Sequence, residues 1–164
     1  MREFITRRRL GLAAMGGVTA AVLAPGIAGA DGSHGVSRGQ LRRNKQTAVA
    51  FYDLAFNRKN PREAVRRYLG PVYIQHNPLF ADGAEAFIDA VTAFTQANPQ
   101  LHVDIRTVLA EADRVITHSL ITLHPDDPGV VAMDMFRLER GKIVEHWDVV
   151  QPFPESSVND HPMF

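Results

Sequence analysis

The stretch "VVAMDMFRLERGKIVEHWDVVQP", Val130 to Pro152, alternates like two β-strands around Arg140-Gly141, yet sets Asp134 in an apolar run. A carboxyl taken out of water tends to hold its proton to higher pH and can then move protons near neutrality, so Asp134 is a candidate general acid/base. The competing reading is a carboxylate paired with a neighbouring His or Arg, or one exposed at a sheet edge. His118 lies on the preceding strand and comes within reach of Asp134 if the hairpin turns within "PDDPG"; such a pair is either an acid/base couple or a core ion pair. His76, in "YIQHNP", ends a short strand beside Gln75 and Asn77, a cluster that could bind a substrate oxygen or merely satisfy a loop. Trp147, Phe136 and Tyr52 are candidate apolar walls, with ordinary core packing as the alternative for each.

With Arg140-Gly141 as the central turn residues, an uninterrupted ladder pairs Leu138 with Ile143, Phe136 with Glu145, and Asp134 with Trp147. One face then carries Asp134, Phe136, Leu138, Ile143, Trp147 and Val149, and the other Met133, Met135, Arg137, Val144, His146 and Asp148. Both faces are amphipathic, so the pattern leaves open which one lines a pocket. On that register His146 and Asp148 are available to a partner subunit, while His102 and His124 read as exposed strand-end residues.

These residues need elements to hold them. "KQTAVAFYDLAFN" spaces Ala48, Phe51, Tyr52, Ala55 and Phe56 as one helical face, and Asn60-Pro61 starts a second helix that Gly70-Pro71 stops. After the short strand, "DGAEAFIDAVTAFTQANP" puts Phe87, Ile88, Val91 and Phe94 on a third helical face, with Asp82 placed to cap it. Four strand segments follow. Helices first and antiparallel strands after is the α+β pattern, with helices covering one face of a curved sheet and a pocket between them.

The first thirty residues, with a basic start, an apolar stretch and Ala28-Gly29-Ala30, read as an export signal, and "TRRRLGL" gives it a twin-arginine character. Residues 31–44 read as a flexible lead-in and 45–164 as one domain, exported to the periplasm or beyond with no stable membrane span after processing. Eighteen basic and eighteen acidic residues, with no long basic run, give no footprint for nucleic acid. Cysteine is absent, which excludes disulfides, thiol catalysis and thiolate metal sites. The seven histidines show no His-x-x-x-His or His-x-His spacing, and nucleophile-elbow, P-loop and dinucleotide fingerprints are missing. Neither metal nor cofactor is expected.

"YIQHNP", the run "VVAMDMFRLERGKIVEHWDVVQPFPE", a late Asn and the terminal "MF" resemble the SnoaL-like proteins, and more narrowly bacterial members regarded as aldol-condensation catalysts. The resemblance spans Lys45 to Phe164. It implies the cone-shaped fold of nuclear transport factor 2, ketosteroid isomerase and limonene epoxide hydrolase. It also implies that Asp134, which matches the aspartate of the SnoaL polyketide cyclases, is the general acid/base of an aldol ring closure. His118 and His76 match by local motif. The export signal departs from the intracellular cyclases and bears on the substrate.

The expected function is a small cofactor-free lyase or isomerase that moves a proton α to a carbonyl of a small apolar substrate. Asp134 takes the proton, and His118, or His76 with Gln75, binds the enolate. The alternatives are a non-catalytic carrier of an apolar metabolite and a module that assembles as a homodimer.

Overall fold

A computed structural model describes residues 36–164, and the stretch expected to be an export signal lies outside them. Helix α1 (Arg38–Tyr52) runs on through a π-helical turn, Asp53–Asn57, into α2 (Pro61–Tyr68), then β1 (Leu69–Gln75) and α3 (Ala84–Ala97). Four strands complete the chain: β2 (His102–Glu111), β3 (Arg114–Thr122), β4 (Val130–Glu139) and β5 (Lys142–Pro152). They form one curved sheet in the order β1-β5-β4-β3-β2, antiparallel except where β1 runs parallel to β5. The fold is α+β, with three helices on one face of an open five-stranded sheet.

The first helix begins at Arg38, inside the stretch expected to be a flexible lead-in. Ser37 caps it by accepting the Gln40 N–H at 3.2 Å, and Gln40 bridges Arg43 and the buried Asn44 through its side chain. Capping and polar side-chain pairs start this helix, so apolar periodicity does not reveal it. The expected helical cap at Asp82 also differs. Gly83, at φ +98°, occupies the cap position, and Asp82 accepts the Gln75 N–H at 2.7 Å, fixing the end of β1 instead.

The core lies between helices and sheet. Phe51, Phe136, Ile143 and Val115 are fully buried there. Phe51 packs against Phe87 with ring centroids 5.0 Å apart, and Tyr52 meets Phe136 edge-on at 5.2 Å. Among the described residues no helix is long and apolar enough to cross a membrane.

Candidate active site

The β4–β5 hairpin decides which side chains meet. Arg140 and Gly141 both take positive φ, 51° and 79°, as a two-residue hairpin turn requires, and Glu139 pairs with Lys142 and Leu138 with Ile143 as the sequence predicts. The ladder then shifts: Arg137 pairs with Glu145, Phe136 with His146, Met135 with Trp147 and Asp134 with Asp148. One extra residue, Val144, is accommodated as a bulge, and every side chain beyond it changes face relative to the uninterrupted register. The expected pairing of Asp134 with Trp147 is therefore corrected. His146 and Asp148 point to the helix-covered side with Asp134, and Trp147 points away. Gly70 on β1 makes room for this, since a Cβ there would stand 2.7 Å from Val144 Cγ1.

Asp134 is 2 % exposed and His146 5 % exposed. Tyr52, from the apolar face of α1, donates its hydroxyl to Asp134 Oδ1 at 2.5 Å. His146 Nε2 lies 3.3 Å from both Asp134 Oδ1 and Tyr52 Oη. On the other carboxylate oxygen, Thr117 donates from 3.2 Å, with Ser119 at the margin of bonding at 3.5 Å.

The bonds around His146 fix its protons. Gln75 Oε1 accepts the Asn77 N–H at 3.0 Å, which sets the amide orientation, and the same oxygen lies 2.9 Å from His146 Nδ1. Nδ1 must therefore carry hydrogen and Nε2 faces Asp134. Tyr52 Oη, Asp134 Oδ1 and His146 Nε2 thus stand within hydrogen-bond distance of one another, the Tyr52 hydroxyl donating to Asp134. Burial first, and the charge of Asp134 second, hold the Tyr52 hydroxyl protonated far above the ordinary tyrosine range. Tyr73 is likewise pushed up by burial first and then by Asp134. Its Oη accepts from Gln75 Nε2 at 3.2 Å, so its own O–H remains available to the cavity.

This cluster borders a cavity of 680 Å³ whose remaining walls include Phe56, Phe87, Val91, Phe94 and Ile121. Asp148 also lines it, both of its oxygens accepting from Asn77 Nδ2 at 2.9 and 2.7 Å. A second cavity of 620 Å³, between α1 and β2, has neither an aromatic ring nor a histidine in its lining, and the chemistry belongs to the first. Asp134, His146 and Asp148 each offer one ligating atom within 4.8 Å of the others. The ring nitrogens of His146 already face Gln75 on one side and Asp134 with Tyr52 on the other, so these donors form a proton network before they form a cation site.

Of the residues singled out from sequence, Asp134, Tyr52 and Gln75 meet at the cavity. Phe136 is fully buried beneath it, its ring 5.0 Å from that of His146. His118 does not meet Asp134: Thr117 is the register partner, so strand alternation turns His118 to the opposite face, where its ring packs against Phe164 at 5.6 Å. His76 also lies on that face. It bonds Glu145 at 2.8 Å and stacks on Trp147 at 4.5 Å, while Arg137 holds the other oxygen of Glu145 at 2.5 Å. Glu145 is held below the usual carboxylate range, by Arg137 first and His76 second. Sequence reasoning placed Asn77 in a polar cluster with Gln75 but missed His146, Tyr73 and Asp148 at the site. The one signal for them was Gly70, which marks the close approach of β1 to the bulge.

The SnoaL-like domain model matches residues 48–146, more than half of the chain and from α1 to the site histidine itself. The chain belongs to the SnoaL-like domain family. Solved structures bear out its fold. A candidate polyketide cyclase from Bacillus cereus ATCC 10987 superposes with a TM-score of 0.60 at 23 % identity, covering 70 % of this chain and 78 % of that one. TsrD from Streptomyces laurentii gives 0.56 at 22 % identity, covering 66 % and 89 %. A nuclear transport factor 2-like protein of unknown function from Mesorhizobium loti gives 0.57 at 18 % identity, covering 69 % and 94 %. No curated protein matches the chain. The cone of this SnoaL-like domain is thus the fold that the sequence resemblance implies.

Proposed function

We propose that this SnoaL-like domain catalyses proton transfer α to a carbonyl in an apolar substrate, as an aldol-type cyclase, lyase or isomerase that uses its own side chains alone. The observation that carries the reading is the buried Asp134 at the cavity wall, bonded to Tyr52 and 3.3 Å from His146 Nε2. Asp134 takes the α-proton, the C–H electron pair moves into the carbonyl, and the Tyr73 O–H receives the developing enolate oxygen. Return of the proton to carbon gives an isomer; attack of the enolate carbon on a second carbonyl closes a ring. Tyr52, Thr117 and Gln75 hold the acid/base pair in place.

The test is deuterium uptake from D2O into a benzo-fused cyclic ketone such as 2-tetralone. Wild-type protein should accelerate uptake, and Asp134→Asn should lower the rate by about 10²–10⁴-fold, the ordinary worth of a general base. Uptake no faster than in buffer, with the ketone bound, would leave the domain as a carrier of apolar metabolites.

Export is part of the same proposal, supported by the leader sequence at residues 1–30. Cell fractionation with mass determination of the processed chain tests it. So is a homodimer, supported by Val72, Met133 and Val149, which stand 59 %, 46 % and 72 % exposed on the sheet face away from the helices. Sedimentation giving only the monomer mass would remove it.

A further inference from the structure

The charge of the cavity narrows the substrate class, on the footing that the cavity is the reaction site. Its lining includes three aspartates, Asp127, Asp134 and Asp148, and no lysine or arginine among the described residues. Asp134 has the Tyr52 hydroxyl and His146 Nε2 against one of its oxygens. Asp148 accepts from the neutral amide of Asn77 through both oxygens, its ligating atom lies within 4.8 Å of those of Asp134 and His146, and it pairs with no Lys or Arg. Asp127, at the β3–β4 loop, accepts from the Leu123 and Gly129 N–H groups, which hold its carboxyl below the usual range.

Six aromatic rings complete the wall: Tyr52, Phe56, Tyr73, Phe80, Phe87 and Phe94. Aromatic faces and a carboxyl group with no Lys or Arg partner attract a cation. The same field opposes a carboxylate or phosphate on the ligand, and low-polarity walls keep it from being screened away.

We propose that the substrate is an apolar ring system carrying an amine protonated at neutral pH, with Asp148 as the counter-ion that orients it. Asn77 positions Asp148 from the end of β1, so the amine end and the reacting carbon are placed by neighbouring groups on one hairpin.

Three probes that share a naphthyl skeleton test this on the full chain by calorimetric titration: 2-naphthylethylamine, 2-naphthylethanol and 2-naphthylacetate. The amine should bind about tenfold tighter than the alcohol, the low end of what one charge-assisted contact contributes, and the carboxylate weakest of the three. Asp148→Asn should erase the difference between amine and alcohol while leaving the alcohol's affinity within about twofold, which also shows that the cavity is intact. Added salt should weaken the amine and not the alcohol, a readout that holds even if the variant fails to fold. Binding of the carboxylate as tightly as the amine, an amine preference that survives Asp148→Asn, or no binding of any probe would overturn the proposal. Deuterium uptake separates it from the catalytic reading. An amine preference without uptake sinks the chemistry and spares the specificity, and uptake with no amine preference does the reverse.

Discussion

At the scale of residues, the site works through a chain of fixed protons that begins at a backbone N–H. Asn77 N–H orients the Gln75 amide, which fixes Nδ1–H of His146, which turns Nε2 toward Asp134. Gln75→Leu breaks that chain without touching Asp134. We expect deuterium uptake to fall at least about tenfold and the imidazole ¹⁵N spectrum to show a mixture of tautomers. An unchanged spectrum would mean that another group holds the ring. Tyr73→Phe removes the free O–H facing the cavity and should slow uptake by about 10²–10³-fold with little change in ketone affinity, as loss of an oxyanion donor does. Asp134 itself was legible in the sequence as a carboxylate in an apolar run. Its partners were not, because hydrogen-bond reach depends on which face each strand turns inward.

Among the elements, the bulge at Val144 is the feature on which the site depends. Gly70 is the position that permits it, because any side chain there meets Val144 Cγ1. Gly70→Ala should destabilise the domain by about 1–3 kcal/mol, the usual cost of overpacking. Combining it with Val144→Ala should show a favourable coupling of about 0.5–3 kcal/mol in a double-mutant cycle by denaturant unfolding. Additive losses would place the strain of Gly70→Ala elsewhere. The hairpin turn at Arg140-Gly141 was readable, since two residues of positive φ leave a local signature. A bulge has none, because an extra residue in a strand looks like any other alternating residue. Helix α1 shows the complementary case: its first turns rest on Ser37, Gln40 and Asn44, polar residues that composition assigns to a loop.

For the whole molecule, stability at high pH follows from the two buried tyrosines. Tyr52 and Tyr73 have folded-state pKa values raised above the ordinary 10.0. The folded chain thus binds their protons more tightly than the unfolded chain, so this contribution is complete below about pH 10 and is lost as pH rises beyond it. Tyrosinate absorbance should show Tyr52 and Tyr73 ionising together with loss of the far-ultraviolet circular dichroism signal. Ionisation of both in a still-folded domain would contradict their burial. Tyr52→Phe leaves a buried carboxylate oxygen without its hydroxyl donor and should lower stability by about 1–3 kcal/mol in denaturant unfolding.

The sequence by itself determined the helices-then-strands order, the hairpin turn, the family resemblance and one buried carboxylate. Each of these is a local pattern, set by spacing, turn chemistry and hydrophobicity along a few neighbouring residues. The tertiary structure alone decided that His146 and Asp148 face Asp134 while His118, His76 and Trp147 face away. That choice rests on a one-residue shift between strands, and in a sheet with a two-residue repeat such a shift exchanges the two faces of everything beyond it.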